Sequence, residues 1–172
     1  METVSISDIE NVVRFISHLH KDGTINPKSF KLRQWPEPKG PERYISVNRY
    51  ESASLVADLQ AYDKGRNLVC ALMNVGEIRK TSLFLGDTEE YPVKYDVRDM
   101  HSVTIPSHAG IFITIADMPL EGYGDAILDN IEEGKEKTAY LLAIRRVLVD
   151  IAAKSLVRVN SLCEKKAAET NQ

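Results

Sequence analysis

Two cysteines in 172 residues, Cys70 and Cys163, are too few and too far apart to form a disulfide framework, and no CxxC pair is present. They are expected to be reduced thiols in a cytoplasmic protein. No apolar run approaches the roughly 20 residues that a membrane-spanning helix needs, so no membrane partner is expected. The opening METVSISDIE has no basic stretch followed by an apolar one, so no secretory leader is expected. A net charge of −3 excludes a chain that coats nucleic acid through its overall field. Glycine-rich phosphate loops are missing too; Gly76, Gly122 and Gly124 stand as isolated turn glycines. Without HExxH, CxxC, internal repeats or low-complexity tracts, neither a metal nor a cofactor is expected.

What is present is ordinary for a folded chain. The apolar share of 43% against a charged share of 27% excludes disorder. This length suits one domain, which buries roughly 70% of the surface its unfolded chain exposes. The charge is uneven. Residues 86–133 hold 2 basic and 11 acidic side chains, whereas residues 134–172 hold 8 and 4. Attraction between these segments inside one fold is the plain expectation; an acidic face for a basic partner is the alternative.

Ser7-Asp8-Ile9-Glu10 has the form of a capping box, and Ile6, Ile9, Val13 and Ile16 follow at spacings of three and four. This predicts a short N-terminal helix from about residue 8, with a strand as the competing reading of VVRFISHLH. Lys21–Thr24 reads as a turn, and WPEPKGP (35–41) can only be a loop. Strands are expected at 44–48, 67–75, 81–85, 91–97 and 109–115. A helix is expected over 52–65, capped by Ser52 or Ser54 and stopped at Gly65. A second is expected from Asp125 to Glu133, closed by Gly134. A long helix from Lys135 to about Val159 is apolar around most of its circumference, so it is either the central helix against the sheet or a dimer helix. These elements define an α+β domain over residues 1–160. It has one mixed, mainly antiparallel sheet, a short N-terminal helix and a long apolar C-terminal helix, and residues 161–172 form a frayed tail.

Few residues can carry chemistry. His18 and His20 share a face only if their segment is extended; on a helix they point about 200° apart. The four histidines match no metal-ligand spacing. His108 stands beside Ser107, but neighbours on an extended segment face opposite ways, so they cannot form a nucleophile–base pair. His108 acting as acid or base, with His18 as its partner, is the catalytic candidate. Eight basic residues between Arg14 and Arg49 (Arg14, Lys21, Lys28, Lys31, Arg33, Lys39, Arg43, Arg49) accompany Phe30, Trp35, Tyr44 and Tyr50. Arginines with aromatics are what a nucleotide or single strand requires, the first for phosphate and the second for bases.

The order of these features resembles a family of small bacterial proteins with no established activity. Arg14 and His18 come first, then Gly23-Thr24-Ile25 and Ser29-Phe30, then Ile45-Ser46-Val47 with Arg49, and last Pro106-Ser107-His108-Ala109. The family pairs a G-x-I…F entry with an LSV-x-R strand and a late NP-x-HA-x-I segment; Ile105 stands here where that family has asparagine. The likeness covers roughly residues 14–113 and leaves out the long terminal helix. It implies bacterial origin and a shared site at Arg14, Ser46, Arg49 and His108, and names no reaction.

Two functions follow as expectations. In one, the chain is a non-catalytic binding or interaction module, meeting a protein partner or a second copy through its C-terminal helix or its acidic middle. In the other, it is a small enzyme acting on a nucleotide or nucleic-acid phosphate, with Arg14, Ser46 and Arg49 holding the anion and His108 and His18 moving a proton.

Overall fold

A computed structural model describes residues 5–122, 128, 131 and 137–171. Eight strands form one sheet: β1 (Asn11–Phe15), β2 (Ile45–Arg49), β3 (Val69–Asn74), β4 (Leu83–Phe84), β5 (Pro92–Asp99), β6 (His108–Ile115), β7 (Met118–Pro119) and β8 (Leu156–Arg158). Their order is β4-β5-β6-β2-β1-β3-β8, with β7 on β6, and each pairing is antiparallel. The helices are α1 (Leu55–Asp63), α2 (Val75–Lys80), α3 (Lys137–Ala152) and α4 (Val159–Thr170). The chain is a single α+β domain, as its pattern of elements predicts. The helix expected from Asp125 to Glu133 falls largely outside the described residues.

The registers assign each side chain to a face, because successive residues of a strand alternate. Val12, Ile45, Val47, Met73, Val93, Tyr95, Val97, Ala109, Ile111, Ile113 and Ile115 share one face and form the main core. Tyr140, Ile144, Leu148 and Ile151 of α3 close it, at spacings of three and four. The Tyr95 hydroxyl donates to the Ile144 carbonyl at 2.7 Å, tying sheet to helix. On the other face α1 and α4 cover only half of the sheet, packing Leu55, Leu59, Val159, Leu162 and Cys163 on Val13 and Cys70. Over β2, β6 and β5 this face lacks such a cover among the described residues: Ser46, Lys94 and Arg98 are exposed there, and Phe112 is half-buried.

Three expectations are corrected. The N-terminal helix is strand β1, paired with β3 along five residues. One arm of its capping box forms, the Ser7 N–H donating to Glu10 Oε1 at 3.2 Å, while Ser7 Oγ accepts from the Ile9 N–H at 3.5 Å rather than from the Glu10 N–H; the motif closes a turn that feeds the strand. The long terminal helix ends at Ala152. Leu156-Val157-Arg158 then pairs with Val69-Cys70-Ala71, covering an edge of β3 that a continuous helix would leave open. The segment expected to fray from residue 161 is helical in α4 as far as Thr170, held by buried Leu162 and Cys163.

Candidate functional site

The β1–β2 register covers only Val12↔Arg49 and Val13↔Asn48. Beyond it the strands part, and the Arg14 side chain bridges the gap. Its Nη1 donates to the Ser46 carbonyl at 2.8 Å, and Nη2 and Nε donate to the Ser29 carbonyl at 2.7 and 3.3 Å. Phe30 lies beneath, with the guanidinium carbon 5.9 Å from its ring centre. The opening continues into a cavity of about 310 Å³ lined by Arg14, Lys31, Arg33, Ser46, Asn48, Asp58, Tyr62, His108 and their neighbours. That volume is at the lower end of the range for small-molecule sites.

Burial pulls the Arg14 guanidinium down to about 10, with the Glu42 charge opposing the shift, so it stays cationic at neutral pH. Among the described residues it pairs with no carboxylate, although a buried cation usually has one. Glu42 is held elsewhere: one oxygen accepts the Arg33 N–H at 2.8 Å and the other the Trp35 indole N–H at 3.1 Å.

A second group of polar side chains also lines the cavity. Asp58 Oδ2 accepts the Ser107 hydroxyl at 2.6 Å, the Ser107 N–H at 3.0 Å and the Ser54 hydroxyl at 2.8 Å. Burial pushes this carboxyl up, but the Ser107 and Ser54 bonds outweigh it and hold the group below the usual aspartate value. Asn48 Nδ2 donates to Ser107 Oγ at 2.8 Å. Ser107 is 0% exposed, so it is a buried peg fastening the start of β6 to α1. His108 lines the same cavity with its ring against Tyr44, centres 5.7 Å apart. Burial lowers its pKa against the upward pull of Asp99, which leaves the imidazole neutral at pH 7.

Of the residues expected to form a site, Arg14, Ser46 and His108 therefore meet, and two do not join them. Arg49 binds Glu10 through Nη2 at 2.8 Å and Asp99 through Nη1 at 3.2 Å, so its charge is spent within the fold. His18 is exposed, its Nδ1 2.9 Å from Ser17 Oγ, and does not line the cavity. The basic and aromatic band also disperses. Phe30 and Tyr50 are buried, while Trp35 lies under the cations of Lys39 and Arg33, at 4.3 and 5.6 Å. Asn48, Asp58 and Tyr62 carried no signal for the cavity, because Asp58 reaches it through partners 49 residues away. No group of three or more His, Cys, Asp or Glu is placed to hold a metal ion among the described residues. No helix among them is long and apolar enough to cross a membrane.

No protein-family model, curated protein or solved structure matches the chain.

Proposed function

We propose that the chain is a non-catalytic binding module of the bacterial cytoplasm whose cavity holds a small phosphate-bearing anion. The Arg14 guanidinium carries this reading: it is partly buried, charged, and bonded to carbonyl oxygens rather than a carboxylate. Lys31 and Arg33 add positive charge around it. An anion there supplies the counter-charge that a buried guanidinium favours. A partner docked on the C-terminal helix has less support, since the apolar stripe of α3 is used within its own core.

The test is thermal unfolding with inorganic phosphate and nucleoside monophosphates at millimolar concentration, for wild type and Arg14→Gln. A ligand that binds only the folded state raises the midpoint. The wild type is expected to shift upward and the variant to stay put. No shift with any of these anions, or equal shifts in both proteins, overturns the proposal.

The enzymatic alternative draws on one observation, that His108 lines the cavity that holds Arg14. A general base is ordinarily oriented by a third group. Here the nearby Asp99 carboxylate is engaged by Arg49 and by His101, whose Nδ1 lies 3.0 Å away. Nucleotide hydrolysis lost on His108→Ala would favour this alternative.

A further inference from the structure

We infer that the ligand is a guanine nucleotide, its base set at the Asp58–Asn48 end of the cavity and its phosphate at Arg14. This inference rests on the anion-binding reading above and adds the identity of the group attached to the anion.

It starts from one proton. The Ser107 hydroxyl has a single hydrogen, and the 2.6 Å bond gives it to Asp58 Oδ2, an ionised carboxylate that can only accept. Ser107 Oγ must then accept from Asn48, so the amide turns its NH2 to the serine and its carbonyl oxygen away. Two acceptor oxygens result, Asn48 Oδ1 and Asp58 Oδ1. Neither has a hydrogen-bond partner among the described residues, and both residues line the cavity.

The cationic end is close by. Arg14 is anchored on the carbonyl of Ser46, two residues along β2 from Asn48, which is about 7 Å at the rise of an extended strand. The cavity is thus polarised, with hydrogen-bond acceptors at one end and positive charge at the other. Asp58 repels an anion from its own end, so a ligand with both features has one favoured orientation. Phe15 and Tyr62, with ring centres 4.4 Å apart, add an aromatic wall that suits a planar group.

Because both side chains are fastened to the same Ser107 hydroxyl, two adjacent donors on one edge of a ligand match their two free acceptors. The pairing edge of guanine offers them, N1–H beside the 2-amino group. Adenine and cytosine set a ring acceptor beside their amine, and uracil sets its single N–H between two carbonyls. Each would turn a lone pair toward an oxygen that has no proton to give.

The experiment is calorimetric titration of the wild type with GMP, IMP, AMP and inorganic phosphate. IMP differs from GMP only in lacking the 2-amino group. GMP is expected to bind at least tenfold more tightly than IMP or AMP, because a site built for a donor rejects the analogue without it. The variant Asp58→Asn, checked for its urea midpoint, should lose this preference and gain affinity for XMP, whose carbonyl replaces the amine. A misfolded variant cannot show such a gain, and the wild-type GMP/IMP ratio decides the matter should the variant not fold. Equal binding of the three nucleotides and phosphate overturns the guanine assignment while leaving the anion site intact. Tighter binding of IMP or AMP than GMP also overturns it. No binding by any of the four removes the anion site and the base site together.

Discussion

Arg14 and Arg49 lie on neighbouring strands of one sheet, and in the sequence they look alike, each a single arginine among β-prone residues. Their surroundings differ in kind. Arg49 meets two carboxylates, Glu10 and Asp99, with the Asp99 side chain only 7% exposed. Arg14 meets two backbone carbonyls. Carboxylates cancel a charge, whereas carbonyls satisfy its N–H groups and leave the charge in place. The first arrangement stabilises a fold. The second keeps a cation available at a cavity, where burial makes an incoming anion more valuable.

The largest way to break this comparison is to remove both arginines separately. Arg49→Ala strands two carboxylates in a poorly solvated place and is expected to cost about 3 kcal/mol, the lower end of the range for breaking a buried pair. Arg14→Gln forfeits bonds to carbonyls that water or the new amide can partly replace, and should cost about 1 kcal/mol. Urea unfolding measures both. The contrast sharpens if ligand-induced stabilisation survives Arg49→Ala and disappears in Arg14→Gln. It collapses if the two variants lose equal stability and bind alike.

A middling effect is expected at the peg between the strand and α1. Ser107→Ala removes the shortest bond to Asp58 and the acceptor of Asn48 Nδ2, and should cost about 2 kcal/mol. The same change should raise the Asp58 pKa, because the Ser107 hydroxyl is among the groups that hold it down. Carboxyl-carbon NMR across acid pH would follow it. An unmoved Asp58 titration would show that the serine contributes nothing to the acceptor end of the cavity.

Most of the sheet was legible beforehand, and the failures share a cause. YPVKYDV and AGIFITI alternate or run apolar in ways that only strands use, and they became β5 and β6. At the N-terminus the local signal was real but insufficient. The Ser7–Glu10 bonds satisfy the same groups in a turn as in a helix, and pairing with β3 decided the rest. The same holds at Leu156–Arg158, where the helical stripe runs on but an open edge of β3 competes for the chain. For the site, His108 was visible as the polar start of a strand and Arg14 as the first of a run of basic residues, while Ser46 came only from the family resemblance. Arg49 misled because its partners lie 39 and 50 residues away, and Asp58 stayed hidden because it reads as an ordinary first-turn acid of a helix.

The smallest effect concerns His108 and separates the two regions by pH. Its folded pKa lies below the unfolded value, which is about 6.5. As pH falls below that value the unfolded chain takes up the proton first, so stability declines. Asp58, Asp96 and Asp99 behave differently: their folded values lie below the unfolded value of about 3.9, so their contribution is full above it and fades only as pH falls further. The wild type should therefore lose stability in two stages, a shallow one starting near pH 6.5 and a steeper one below about 4. His108→Gln should abolish the shallow stage alone, whereas Arg49→Ala, which frees Asp99 to pull the imidazole pKa back up, should make that stage shallower. A wild type with no slope between pH 7 and 5 would mean that the imidazole is as well hydrated in the folded chain as in the unfolded one, and that the cavity does not desolvate what enters it.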